Sequence, residues 1–108
     1  SRVPVYERLP APNQHRKYAI RGVLMTRQLI MIDWDDRRPV SSLPLYTPPC
    51  VSPRMNLVDL LQLLQQGGSH IAFVCAGPDM AAKALDEDRA IPLQAGFMGI
   101  VCLEDVLE

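Results

Sequence analysis

The sequence predicts a mixed α/β fold (α+β), with one unit occurring twice. Three observations carry this. Short apolar, partly β-branched runs alternate with leucines at helical spacing. Proline and glycine cluster between these runs. One pattern also repeats: "SRVPVY" from Ser1 resembles "SHIAFV" from Ser69, and "GVLMTRQLI" from Gly22 resembles "GIVCLEDVL" from Gly99. The serines lie 68 residues apart and the glycines 77, so the second copy has the longer internal loop. A recurring unit with variable loops is the mark of a duplicated supersecondary element.

The elements follow in order. Arg2 to Tyr6 is a short β-type run, and Pro4 within it suits an edge or a strand end. Leu9 to Lys17 is polar, carries two prolines and reads as a loop. Tyr18 to Leu24 is a strand. The period then changes, and Met25, Leu29 and Ile32 predict a helix with Thr26 as its cap. The run from Asp33 to Pro39 ends it. Val40 to Pro53 is proline-rich, with one extended strand near Tyr46 to Val51. The clearest helix comes next: Ser52 as N-cap, Pro53 at the first helical position, and Leu57, Leu60, Leu61 and Leu64 as one apolar stripe. Gly67-Gly68 stops it. His70 to Cys75 is a buried-type strand. Ala76 to Ala95 reads as an insertion, by default a mobile surface segment, with helix-tolerant residues from Met80 to Leu85. Phe97 to Val101 is a strand, and Cys102 to Glu108 opens a helix.

The repeated unit is thus strand–helix–strand–strand–helix, and the chain holds about one and a half of them. Residues 1–38 form the C-terminal part of the first repeat, truncated at its N-terminus. Residues 39–108 form the second, with the insertion at about 76–95. Each full repeat is expected to be a small three-stranded sheet with two helices. The predicted core is Val3, Val5, Val23, Leu24, Leu29, Leu57, Leu60, Leu61, Leu64, Ile71, Phe73, Ile100, Val101, Leu103 and Val106. A half unit cannot cover its own apolar faces, so its missing strand and helix are expected from upstream residues or another chain. The lack of an initiator Met and the helix-like end fit an excerpt of a longer protein.

Composition narrows the function. With 108 residues, 48% of them apolar and 21% charged, the chain suffices for one modest globular unit. Its net charge of −1 gives no basic footprint for nucleic acid or an anionic membrane. No apolar run nears the roughly 18 residues of a membrane span, and Ser1 to Pro4 do not begin a signal peptide. The three cysteines, Cys50, Cys75 and Cys102, are widely spaced without a C-x-x-C pair, which argues against a disulfide framework or a zinc site and for small buried residues. No nucleophile–base pair, glycine-rich phosphate loop or metal-ligand cluster points to an enzyme.

The layout, with "SRVPVYE" from Ser1, "GVLMTRQLI" from Gly22 and "GIVCLEDVLE" from Gly99, resembles a pair of CBS domains (a Bateman module). More narrowly it resembles the cytosolic CBS pair of CorC/cyclin-M-type, hemolysin-like transporters linked to magnesium and cobalt. The resemblance implies a cytosolic regulatory module without catalysis of its own. It implies two repeats packed through their sheets, association into a homodimer, and a transmembrane part of the parent protein as partner. It also implies a cleft that can take an adenine nucleotide, with ATP and Mg²⁺ the usual pair.

In such modules the strand-to-helix junction faces the nucleotide. A hydroxyl on the first turn and nearby N–H groups bond phosphate, and an aspartate three residues on accepts from the ribose hydroxyls. Cys102 and Asp105 hold those positions here. Val3 and Pro4 would line an adenine slot, and Arg2 would reach a phosphate. The departure from the pattern is Cys102, a weak thiol donor where the family has Thr or Ser. The loss of one phosphate bond costs about 1–3 kcal/mol, so binding is expected to be weak. In the first copy Met25 and Gln28 replace hydroxyl and acid, and its site is read as non-functional for ribose.

Structural readings stand beside these. Asp105 also suits the positive end of its own helix, and Arg2 also suits a surface position. His70 fits a packing role beside the Gly67-Gly68 turn. Asp33, Asp35 and Asp36 fit a solvated helix end. A module that keeps its dimerisation role and has lost its ligand is the alternative function.

Overall fold

The computed structural model describes residues 2–8, 18–67 and 69–107. The predicted loop from Leu9 to Lys17 lies outside them. Strand β1 (Arg2–Arg8) pairs antiparallel with β2 (Tyr18–Met25), Arg2 opposite Met25 and Pro4 opposite Val23. Among the described strands β1 has no second neighbour, the edge position that suits a proline. The second sheet has the order β3-β4-β5. Strand β3 (Cys50–Val51) runs parallel to β4 (Ile71–Cys75), and β5 (Phe97–Cys102) runs antiparallel to it. Helix α1 (Leu57–Gln66) joins β3 to β4, α2 (Pro78–Asp86) lies between β4 and β5, and α3 (Leu103–Leu107) follows β5. Tyr46, in the segment ahead of β3, exchanges both backbone hydrogen bonds with Val23 of β2 at 2.8 Å.

The duplication is visible in register. In the first hairpin Val5 faces Gly22, the ladder slips, and Tyr6 faces Ile20. In the second, Val74 faces Gly99, the ladder slips, and Cys75 faces Phe97. The second strands match at an offset of 77, as expected. The first strands match at 69 rather than 68, so Arg2 corresponds to Ile71. The aligned serines misled by one residue because the bulge, not the serine, sets the phase.

Several local expectations change. The helix expected from Met25 is a 3₁₀ turn over Thr26–Met31, with Met25 in the capping position and Thr26 already inside. None of its six residues is buried, so no packed face stabilises an α-helix there. The leucine helix starts later than expected. Asn56 caps α1, its side-chain oxygen accepting from the N–H groups of Val58 at 2.8 Å and Asp59 at 3.1 Å. Ser52 instead closes the preceding turn, accepting from the Arg54 N–H. The stripe shifts accordingly: Leu60 and Leu64 are buried, while Leu57 is exposed. Gly67 ends the helix as predicted, its N–H donating to the Leu63 carbonyl.

The insertion is not a surface segment. Ala81, Ala84 and Leu85 of α2 are buried, as are Ile91 and Ala95 beyond it. Ala81, Leu85, Ile91 and Ala95 join Val23, Ile71, Phe73 and Cys75 in the central cluster. The Ile91 N–H donates to the Ile20 carbonyl at 2.8 Å, and Arg21 pairs with Asp88. Residues 76–95 therefore tie the two hairpins together. A second cluster sets Leu60 and Leu64 against Val51 and Ala72, with Val101, Leu103 and Val106 at its margin. Of the predicted core, Val3 and Leu29 are exposed as well as Leu57.

Candidate nucleotide site

The candidate site is built at the end of β5. The strand pairs Cys102 with Ile71, and the Leu103 N–H donates to the His70 carbonyl at 2.8 Å. This fixes where α3 leaves the sheet and gives the exposed His70 a backbone role in the turn. Asp105 folds back over the first turn, and its Oδ2 accepts from the Cys102 N–H at 2.9 Å. That is the reciprocal half of a capping box, the third helical residue satisfying the N–H of the cap. The first repeat does the same with different chemistry: Gln28 Oε1 accepts from the Met25 N–H at 3.2 Å, and its Nε2 donates to the Pro44 carbonyl. Asp105 is thus a capping residue in this structure, with one oxygen in use.

Cys102 is half-buried. Burial pushes its thiol above the ordinary value, and the carboxylates of Asp105 and Glu104 add to the push. The Arg2 guanidinium acts in the opposite direction. Arg2 thus lies within electrostatic reach of this junction although it belongs to the other hairpin. From the predicted set the structure brings together Cys102 and Asp105, and Arg2 acts on Cys102 only through its charge. Val3 and Pro4 sit next to Arg2 on β1 but are exposed, so among the described residues they form no closed slot. Sequence reasoning passed over Glu104, whose only signal was its place between Cys102 and Asp105.

The chemistry of this junction suits a sugar better than a phosphate. A carboxylate with its second oxygen outside the cap bond can accept from a vicinal diol. Two carboxylates on one turn disfavour a polyphosphate unless a cation or Arg2 offsets them. Among the described residues no group of three His, Cys, Asp or Glu is placed to hold a metal ion. The acidic run is accounted for otherwise, since Asp33 Oδ1 accepts from the Asp35 N–H at 3.0 Å and caps the 3₁₀ turn Trp34–Asp36. A cavity of about 460 Å³ lies elsewhere, at the far end of β1, bounded by Tyr6, Glu7, Arg21, Ser42 and Asp88.

Two bulged hairpins with matched register, each leading into a helical turn capped by its third residue, form a tandem CBS pair. The comparisons agree. The chain superposes over its whole length on the CBS domain of a bacterial CNNM/CorC family Mg²⁺ transporter in complex with ATP, with a TM-score of 0.65 and 27% identity, covering 61% of that chain. It also superposes on a CBS domain protein from Shewanella oneidensis, with a TM-score of 0.58 and 19% identity, covering 99% of this chain and 67% of that one. No family model matches. In sequence the chain is 32% identical over 108 residues to Protein MAM3 of Saccharomyces cerevisiae, which is all of this chain and 13% of that protein. It is 35% identical over 92 residues to a DUF21 domain-containing protein of Arabidopsis thaliana, 85% of this chain and 15% of that protein. The chain therefore spans less than a fifth of the curated relatives it matches. In fold and sequence it is similar to the CBS-domain pairs of the CNNM/CorC family. Among the described residues no helix is long and apolar enough to cross a membrane.

Proposed function

We propose that the chain is the cytosolic regulatory module of a membrane divalent-cation transporter, of the magnesium and cobalt type, and that it binds an adenine nucleotide weakly at the β5–α3 junction. The observation that carries this reading is the full-length superposition on a CNNM/CorC CBS domain in complex with ATP. Asp105 would hold the ribose hydroxyls, Arg2 a phosphate, and Val3 and Pro4 the edge of the adenine. Cys102 is the weak point, since a thiol donates poorly to phosphate. The role is regulatory rather than catalytic. Binding biases the membrane part of the parent, and pairs of modules associate as homodimers. The domain limits at residues 38 and 39 belong to the same reading.

Calorimetric titration with ATP, ADP and AMP, with and without Mg²⁺, tests it. A rise in melting temperature at millimolar ATP is expected, as for any ligand of the native state. The rise should vanish in Asp105→Ala and grow in Cys102→Thr. No shift in any of these would refute the reading.

A second reading is a ligand-free dimerisation module, which Met25, Gln28 and Cys102 favour. Sedimentation separates the two: a dimer whose mass and thermal stability both ignore ATP supports the second.

A further inference from the structure

The run Arg37-Arg38-Pro39-Val40-Ser41-Ser42 lies between the two halves. Of the seven Ser and Thr residues in the chain, only Ser41 has an arginine three positions upstream, and it has a second at four. Every residue from Asp33 to Ser42 is exposed, so a partner's cleft can reach this stretch. Ser41 is the middle residue of the 3₁₀ turn Val40–Ser42, which buries none of its residues and opens at little cost. The Ser42 Oγ donates to the Pro39 carbonyl at 2.7 Å, and Arg38 Nη2 donates to the Ser42 carbonyl at 3.0 Å. Ser42 is thus engaged within the turn, and the Arg38 guanidinium is held against it. Ser41 also lines the cavity of about 460 Å³ at the far end of β1, together with Arg21, Glu7 and Asp88. The Arg21 side chain is 18% exposed, and that of its partner Asp88 is 91% exposed. Arg21 makes this pair through Nη2, and a guanidinium carries five donors.

We propose that Ser41 is a phosphorylation site for an arginine-directed Ser/Thr protein kinase, and that Arg21 receives the phosphate. Kinases select substrates partly by charge pattern, and an upstream arginine pair suits an acidic substrate cleft. In the transfer, Ser41 Oγ bonds the γ-phosphorus of ATP as the bond from that phosphorus to the β–γ bridging oxygen breaks. ADP leaves, and the hydroxyl proton passes to the kinase's base. The product carries a charge of about −1.5 to −2 and three acceptor oxygens. It competes with the single, solvated carboxylate of Asp88 for Arg21 and is the stronger partner. Glu7 and Asp88 repel it, and Arg38 in the adjoining turn offsets them. The modification therefore releases Asp88 and loosens one tie between residues 76–95 and the first hairpin. The site is independent of the nucleotide reading.

The test incubates the purified chain with ATP, Mg²⁺ and a calmodulin-dependent Ser/Thr kinase, and maps the product by mass spectrometry. One phosphoryl group should enter, at Ser41. Ser41→Ala should abolish uptake, and Ser42→Ala should leave it at Ser41. Arg38→Ala should lower the kinase's kcat/KM by about tenfold or more, as a lost charge contact does. Loosening the turn by the same substitution would act in the opposite direction, so a fall reports recognition. ³¹P NMR of the phosphorylated wild-type chain reads the pairing and does not depend on how any variant folds. The second ionisation of the phosphate, at about pH 6 when free, should fall by about 0.5 or more beside Arg21 and return toward the free value in Arg21→Gln. The proposal fails if the chain takes up no phosphate, if the phosphate lands on another residue, if Arg38→Ala is modified as fast as wild type, or if the wild-type phosphate ionises at the free value.

Discussion

The two hairpins share a register and a bulge, yet they bury opposite strands. In the first, the second strand is the inner one: Val23 and Leu24 of β2 are buried while β1 is largely exposed. In the second, the first strand is the inner one: Ile71, Ala72, Phe73 and Cys75 of β4 are buried while β5 is half-exposed. The hairpins are alike and their neighbours differ. β4 has β3 on its free edge and α1 and α2 against it, whereas β2 receives Tyr46 and Ile91. Local pattern fixes pairing, and the supply of covering elements decides which face of the pair becomes core.

The largest expected contrast is between the equivalent positions Phe73 and Pro4. Phe73 is fully buried and meets Phe97 edge to face. Phe73→Ala should cost about 3–5 kcal/mol. Pro4→Ala, on the exposed strand, should stay within about 1 kcal/mol. Denaturant unfolding of the two variants measures this, and equal losses would show that coverage does not distinguish the hairpins.

The bulge glycines give the next contrast. A Cβ on Gly22 would meet Leu45 Cβ at 3.0 Å and the Tyr46 carbonyl at 3.1 Å, whereas one on Gly99 would meet nothing within 4 Å. Gly22→Ala should therefore destabilise by about 1–3 kcal/mol through overpacking, and Gly99→Ala should fall within about 0.5 kcal/mol of wild type. The same unfolding assay checks both. A harmless Gly22→Ala would mean that the Tyr46 bridge yields easily.

These contrasts mark what the sequence could and could not convey. The strands, the leucine helix, the Gly67 stop and the duplication were legible because each rests on local periodicity or punctuation. Asn56 does not stand out as the cap in the sequence because Ser52-Pro53 offers similar signals four residues earlier, and only the turn between them decides. Residues 76–95 looked like a surface excursion because Ala81 and Ala84 carry little apolar signal. They are core because small side chains let α2 approach the sheet. At the site, the Cys102 to Asp105 spacing was legible. The reach of Arg2 to Cys102 from another hairpin was not, since it depends on how the halves pack.

The thiols also fall on one side of the comparison, because Cys50, Cys75 and Cys102 all lie in the second half. Burial pushes the folded Cys50 thiol up to about 12, and the Cys102 thiol is raised as well. A raised thiol keeps its proton in the native state after the unfolded chain has lost its own. Its stabilising contribution is thus complete below about pH 9 and disappears as pH climbs toward about 12. The expected outcome is a loss of stability across that window that is shallower in Cys50→Ser than in wild type, read as the difference between their denaturant midpoints. Parallel curves would show that the Cys50 thiol is hydrated in the native state.

The smallest expected effect is the most discriminating for function. Gln28 and Asp105 make the same cap contact in the two halves, at 3.2 and 2.9 Å. Alanine at either should cost about 0.5–2 kcal/mol, by analogy with a lost side-chain cap, so stability alone cannot separate a cap from a ligand-binding residue. Asp105→Asn can. It keeps an oxygen for the Cys102 N–H but loses the charge and one acceptor, so folding should shift by no more than about 0.5 kcal/mol. If Asp105 also holds a ribose, ATP affinity should drop about tenfold, because one charge-assisted bond is lost, while Gln28→Ala leaves it unchanged. If Asp105 is a cap alone, both variants will respond to ATP like wild type, and the halves will differ in coverage and not in function.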